Sequence, residues 1–133
     1  MKILALICRI LLGLVFVVFG ANAIHPFLTM PLPPAGSPPA VFFGLFFSSG
    51  WIKVIGLFEL LGGLLVLFGG TVPLGLSFLA PVLLNIWCYH VLLAGGAGLV
   101  PMPIVVTLLW LILIYAYRAN FAGIFTTKAT PTA

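Results

Sequence analysis

Gly56-Leu-Phe-Glu59-Leu-Leu-Gly-Gly63 decides how this chain folds, because it places the only acidic residue of the sequence inside an apolar run from about 51 to 68. A carboxylate in hydrocarbon is costly unless it is protonated, paired or hydrated, so Glu59 is a candidate functional residue. At the helical spacing of about 100° per residue, Gly56, Glu59 and Gly63 share one face. Small residues on that face predict a close helix–helix contact with the acid inside it.

Composition predicts an integral membrane protein. The chain of 133 residues is 64% hydrophobic and 5% charged, and its mean hydropathy is +1.41. Spans of roughly 20 residues with short connectors leave room for four crossings and no separate soluble domain. We therefore expect a single all-α domain, an antiparallel four-transmembrane-helix bundle, with helices at about 3–24, 51–68, 73–93 and 102–119.

The basic residues predict orientation rather than a nucleic-acid partner. The net charge of +4 comes from cations that are spread along the chain without forming a patch: Lys2, Arg9, Lys53, Arg118 and Lys128. Both ends carry cations, whereas the connectors near residues 30, 71 and 97 carry none. We therefore expect both termini to be cytoplasmic, with the lipid bilayer, as in a bacterial inner membrane, as the surroundings.

A proline-rich connector follows the first predicted helix. His25-Pro26 ends that helix, and five further prolines exclude regular structure before residue 40: Pro31, Pro33, Pro34, Pro38 and Pro39. We expect this loop to be extracytoplasmic. The apolar residues 41–47 that follow are too short to span. Two interpretations stay open: a short interfacial helix at about 39–47 over the bundle mouth, or a tilted lead-in to the second span.

Arg9 is the expected partner of Glu59. Counted from the cytoplasmic end, Arg9 lies about 9 Å and Glu59 about 15 Å deep, within reach of a long side chain. The pair could be a proton relay or a carboxylate beside a quinone. It could equally be a structural ion pair that sets the register of the first two spans. For Asn85, an interhelical hydrogen bond is the simplest role.

His90 could contact a ligand in the outer half of the bundle. Hydrogen bonding of a quinone by His90, with Trp51, Trp87 or Tyr89 stacking on it, is chemically reasonable. The simpler interpretation is an interfacial histidine that faces water or headgroups. A bis-histidine haem with His25 is disfavoured because His25 lies at a helix end. No covalent cofactor and no metal site is expected.

Several enzyme classes lack their residues here. The sequence has no Cys-x-x-Cys pair, since its cysteines are Cys8 and Cys88. It also has no Ser/His/Asp constellation, no phosphate-binding loop and no carboxylate pair. Thiol oxidoreductases of the Cys-x-x-Cys kind, hydrolases, kinases and glycosidases are therefore excluded.

Three motifs resemble those of a known family. They are Arg9-xxx-Gly13-xx-Phe16-xxx-Gly20, Gly56-xx-Glu59-xx-Gly62-Gly63 and Pro81-xxx-Asn85-xxxx-His90. Together they are similar to the DoxX family of small four-helix membrane proteins, over most of the chain up to about His90. The resemblance implies an antiparallel four-helix bundle. It also implies association with membrane oxidoreductases, among them thiosulfate:quinone oxidoreductase.

Three functions remain open on the sequence. The first is a small membrane subunit of a quinone-linked oxidoreductase, with other redox subunits as partners and a quinone as the cofactor. The second is a non-catalytic accessory subunit of a larger membrane complex, since almost no mass lies outside the spans. The third is a small-solute or lipid carrier in which a kinked third helix and Glu59 line a path.

Overall fold

The computed structural model describes residues 1–125, 127 and 129–131; Lys128, which enters the orientation prediction, lies outside them. The described residues form helices and no strand. The elements in chain order are α1 Lys2–Ile24, α2 Pro38–Ser48, α3 Trp51–Leu67, α4 Val72–Cys88, a π-helical turn Tyr89–Leu93, α5 Met102–Ala116, α6 Arg118–Phe121 and a 3₁₀ turn Ala122–Phe125.

Helix α1 ends at Ile24, just before the His25-Pro26 pair. His25 has φ −133° and ψ 96°, the extended backbone that a residue before proline prefers. The connector that follows is tied back to α1 by Asn22. Its Oδ1 accepts hydrogen bonds from the backbone N–H groups of Phe27 at 2.9 Å and Leu28 at 2.7 Å. The connector is therefore anchored although it contains no regular structure before Pro38.

Residues 38–48 form a helix of their own. Ser37 caps it by accepting a hydrogen bond from Ala40 N–H, and prolines occupy its first turn, where no N–H is needed. Gly50 has φ +77°, a left-handed conformation that breaks the helix before Trp51. The axes of α2 and α3 differ by 82°. Thus α2 is a short helix that a sharp bend separates from α3, and both the interfacial helix and the tilted lead-in stay open.

The fourth long helix is shorter than the expected 102–119. Helix α5 ends at Ala116, because Tyr117 has φ −104° and ψ 16°. The chain then turns by 79° into α6 and the 3₁₀ turn. Arg118 supports this turn by donating from Nη1 to the carbonyl of Tyr115 at 2.8 Å. That bond satisfies one of the carbonyls that a helix end leaves free.

Glycines bring α1 and α3 into direct backbone contact. A Cβ on Gly63 would stand 2.8 Å from Gly13 O, and one on Gly20 would stand 2.7 Å from Gly56 O. As the residue number rises on α1 it falls on α3, so the two helices run in opposite directions. The glycine face predicted around Glu59 is the face that packs on α1.

The long helices contact one another in a ring. Helix α1 contacts α3 and α5, and α4 contacts the same two helices. The residues between them are apolar and completely buried, and they include Leu12, Val66, Leu76, Leu79 and Leu113. This core occupies the middle of the ring. Cavities lie toward its two ends.

Two helices are long and apolar enough to cross a membrane on their own, Lys2–Ile24 and Val72–Leu93. Two bent pairs pass the same test jointly, Pro38–Ser48 with Trp51–Leu67 and Met102–Ala116 with Arg118–Phe125. The described residues therefore supply two spans, or up to four if each bent pair counts as one.

Candidate functional site

A cavity of about 560 Å³ lies where the C-terminal half of α1, the connector and α2 meet the start of α3 and the end of α4. Its walls are mainly aliphatic and aromatic. The polar side chains on it are Asn22, Glu59, Asn85, Tyr89 and His90. We call it the Glu59 cavity. A mostly apolar pocket with a few convergent polar groups is the usual form of a small-molecule site.

Glu59 and Asn85 reach this cavity from facing helices. Glu59 lies on α3 beside Gly20, since a Cβ on Gly20 would stand 2.9 Å from the Cβ of Glu59. Asn85 lies on α4, and both side chains are half-buried. Among the described residues neither side chain has a hydrogen-bond partner. An acid and an amide in an apolar cavity are therefore free to bind a ligand or water.

Aromatic rings of α2 form one wall of the cavity and pack on Tyr89. The ring centroid of Tyr89 lies 5.0 Å from Phe43 and 5.8 Å from Phe42. The rings of Phe42 and Phe46 are stacked at 5.1 Å. Such contacts add to the stability that burial provides. They hold α2 against the end of α4.

His90 is positioned by the glycine-rich loop. Its Nδ1–H donates to the carbonyl of Ala97 at 2.7 Å, which leaves Nε2 as an acceptor in the neutral ring. A Cβ on Gly98 would stand 3.0 Å from Cε1 of His90, and Gly98 has φ +73°. Glycine therefore lets the loop close around the imidazole. His90 serves the fold here and also lines the Glu59 cavity.

The two tryptophans predicted to stack on a ligand lie elsewhere. Trp51 is 60% exposed, and its ring packs on the outside of Phe46 with a centroid distance of 6.3 Å. Trp87 donates from Nε1 to Thr107 Oγ1 at 2.9 Å and so joins α4 to α5. Neither tryptophan lines the Glu59 cavity. Aromatic stacking on a ligand would come from α2 and Tyr89 instead.

Arg9 does not pair with Glu59, contrary to the prediction. Arg9 lies at the far end of α3, where a Cβ on Gly69 would stand 2.6 Å from its Nη1. Glu59 lies beside Gly20, eleven residues from Arg9 on α1 and so about 16 Å away along the helix axis. Arg9 lines a second cavity of about 530 Å³, which we call the Arg9 cavity. The depths estimated for Arg9 and Glu59 were wrong, because the glycine contacts between α1 and α3 shift the two helices along their axes relative to the assumed alignment.

Asn85 also differs from its predicted role. Among the described residues no interhelical hydrogen bond of Asn85 is present. The bond near Pro81 is made by Trp110 of α5, whose Nε1 donates to the Leu76 carbonyl at 3.0 Å. Leu76 immediately precedes Ser77. The Ser77 carbonyl has no hydrogen-bond donor within the helix, because Pro81 lacks a backbone N–H.

Sequence reasoning missed two groups of cavity residues. Asn22 and the connector residues Pro31–Pro33 belong to the wall of the Glu59 cavity, and Lys2 and Arg118 join Arg9 in the other cavity. An asparagine three residues before His25-Pro26 is a signal for a capped turn. The sequence predicts that the start of the first span and the end of the last span lie on the same side of the membrane, but not that they line one cavity.

Within the described part of the chain, no cluster of three or more His, Cys, Asp or Glu residues could hold a metal ion. Comparison of the chain with models of protein families, with curated proteins and with solved structures gave no match.

Proposed function

We propose that the protein is an integral membrane protein in which α1, α3, α4 and α5 cross the bilayer as a DoxX-like antiparallel bundle. Large apolar side chains on the outer sides of these helices support it, because water would not tolerate so many of them. Examples are Ile3 at 76%, Leu84 at 66% and Leu108 at 53% exposure. Helix α2 then lies in the outer interface, at 82° to α3.

We propose that both termini lie in the cytoplasm of a bacterial cell and that the proline-rich connector lies outside. Lys2, Arg9 and Arg118 together line one end of the structure, as the rule of positive charge on the inside requires. A fluorescent protein fused to the C-terminus should fluoresce. Alkaline phosphatase at the same point should be inactive, and an active phosphatase would reverse the orientation.

We further propose that this membrane protein is a small subunit of a quinone-linked oxidoreductase and that it binds a quinone headgroup in the Glu59 cavity. The observation that carries the proposal is the presence of both Glu59 and Asn85 on the wall of one apolar, aromatic-lined cavity. The Asn85 amide can donate to a quinone carbonyl. Glu59 can exchange a proton with the reduced form, and Phe43 or Tyr89 can pack on the ring.

The structure also bears on where the redox chemistry takes place. Outside its long helices the described chain has only the connector with the short α2, the loops and the segment after α5. None of these is a separate domain that could hold a flavin, haem or iron–sulfur centre, so such a centre would belong to a partner subunit. A carrier with a continuous path is less well supported. Buried core residues fill the region between the two cavities and leave no continuous path. They include Leu12 and Val66, which are 0% exposed. An accessory subunit without a quinone remains the second candidate.

The test is purification from native membrane in mild detergent, with mass spectrometry of co-purifying proteins, optical spectra and quinone extraction. The proposal expects a stoichiometric partner with a chromophore, and quinone bound to the complex. A stoichiometric partner with no quinone would indicate the accessory role instead. A bare chain without partner or chromophore would overturn both subunit functions.

A binding experiment localises the quinone. Titration with a short-chain quinone should show Asn85→Ala binding about tenfold more weakly than the wild type, because a hydrogen bond is lost inside an apolar pocket. Ser77→Ala is the matched control on the same helix. Its hydroxyl is exposed and donates to Pro73 O at 2.9 Å. Equal quinone affinity of Asn85→Ala and wild type would place the quinone elsewhere.

A further inference from the structure

The Arg9 cavity concentrates positive charge from two helix ends. It lies where the start of α1 meets the end of α5, and Lys2, Arg9 and Arg118 line it together with Ala5 and Tyr117. Three cations on one cavity of about 530 Å³ repel one another. An anion between them would relieve that repulsion.

No side chain of this protein can supply that anion. Glu59 is the only acidic residue in the sequence, and it lines the other cavity. Its partner on α1, Gly20, is eleven residues from Arg9, or about 16 Å along the axis. No acidic side chain therefore neutralises the cations that line the Arg9 cavity.

Arg9 itself lacks an acceptor. Its Nε is buried and has no hydrogen-bond partner, which is an unfavourable state for a charged donor. The guanidinium lies beside Gly69, just after the end of α3, and Arg9 is part of the cavity wall. An anion in the cavity would be bound by the terminal Nη groups of Arg9, because Nε is buried.

Phosphate fits these donors better than a carboxylate does. A guanidinium binds phosphate oxygens in pairs through its planar fork, and a lysine adds a mobile point charge. Arg118 is fixed by the Tyr115 carbonyl and stacks on the Tyr115 ring at 4.5 Å. Arg118 in this fixed position, Arg9 and Lys2 can together surround a group with several anionic oxygens.

We infer that the Arg9 cavity binds a phosphate-bearing anion, held by Arg9, Arg118 and Lys2. Two sources share this chemistry: the headgroup of an anionic phospholipid, since basic pockets between helices on the cytoplasmic side bind such headgroups, and free phosphate. The site lies apart from the Glu59 cavity, so it does not depend on a quinone binding there.

The experiment measures phosphatidylglycerol binding to the purified full chain by native mass spectrometry, with phosphatidylcholine as the reference lipid. We expect Arg9→Gln and Arg118→Gln each to weaken phosphatidylglycerol binding about tenfold, because each removes a charge-assisted hydrogen bond. Lys53→Gln is the matched control. Lys53 is an exposed cation in the first turn of α3 and does not line the Arg9 cavity.

Calorimetry with inorganic phosphate separates the two sources. Heat of binding that Arg9→Gln abolishes, with displacement of phosphatidylglycerol, identifies free phosphate as a ligand. Binding of phosphatidylglycerol alone identifies the lipid. The inference is overturned if neither binds, if the arginine variants bind as the wild type does, or if Lys53→Gln loses as much affinity. Should Arg9→Gln fail to fold, Arg118→Gln decides, since Arg118 is exposed.

Discussion

Glu59 packs directly against Gly20. A Cβ on Gly20 would stand 2.9 Å from Glu59 Cβ and 2.5 Å from the backbone nitrogen of Leu60. The absence of a side chain on Gly20 therefore lets α1 and α3 touch at the level of the acid. The same contact lies within the stretch of α1 that lines the Glu59 cavity, because residues before and after Gly20 form part of its wall.

Gly20→Ala should destabilise the protein by about 1–3 kcal/mol, because the added methyl group meets backbone atoms that cannot move alone. The measurement is the free energy of unfolding in mixed detergent and denaturant, followed by circular dichroism. Gly44→Ala is the control, since Gly44 has open space around its Cβ position. It should be neutral or stabilise the protein slightly. Equal stability of Gly20→Ala and the wild type would contradict the α1–α3 contact.

Alanine substitution should destabilise the protein by different amounts at two glycines of the α3–α4 contact. A Cβ on Gly75 would stand 2.8 Å from Gly62 O and from Val66 N, whereas a Cβ on Gly62 would first meet the Leu79 side chain at 2.7 Å. Side chains can rotate away and backbone cannot. Gly75→Ala should therefore lower the melting temperature more than Gly62→Ala does. The reverse order would show that α4 is displaced relative to α3.

Trp110→Phe should cost about 1 kcal/mol of stability, because it removes the hydrogen bond to the Leu76 carbonyl beside the Pro81 region. Trp51→Phe is the matched control, since Trp51 is 60% exposed. Unfolding of the two variants under identical detergent conditions measures the difference. A larger loss for Trp51→Phe would contradict the α4–α5 hydrogen bond.

Neighbouring glycines after α3 offer another matched pair. Gly69 has φ +73° and supports the Arg9 guanidinium, whereas Gly70 has open space at its Cβ position. Gly69→Ala should cost about 1–2 kcal/mol for the left-handed backbone alone, and it should also displace Arg9. Gly70→Ala should leave the melting temperature nearly unchanged. Equal melting temperatures for the two variants would contradict the left-handed backbone of Gly69.

Much of the helical framework follows from local pattern. Apolar runs, the His25-Pro26 stop and the glycine face around Glu59 depend on neighbours in sequence, so they could be predicted. The sequence also placed Asn85, Tyr89 and His90 among the candidate site residues, and the structure brings all three to the Glu59 cavity. The predicted partner of Glu59 was wrong, since a depth counted from assumed helix ends cannot fix register.

Composition and local periodicity are enough to predict that the chain is apolar and helical, and which helix face is small enough for close packing. That Gly20 faces Glu59 and Arg9 lies beside Gly69 is visible only in the packed fold. Register depends on many short backbone contacts between segments distant in the chain. Each is weak, and only their sum, present in the packed structure, selects one alignment.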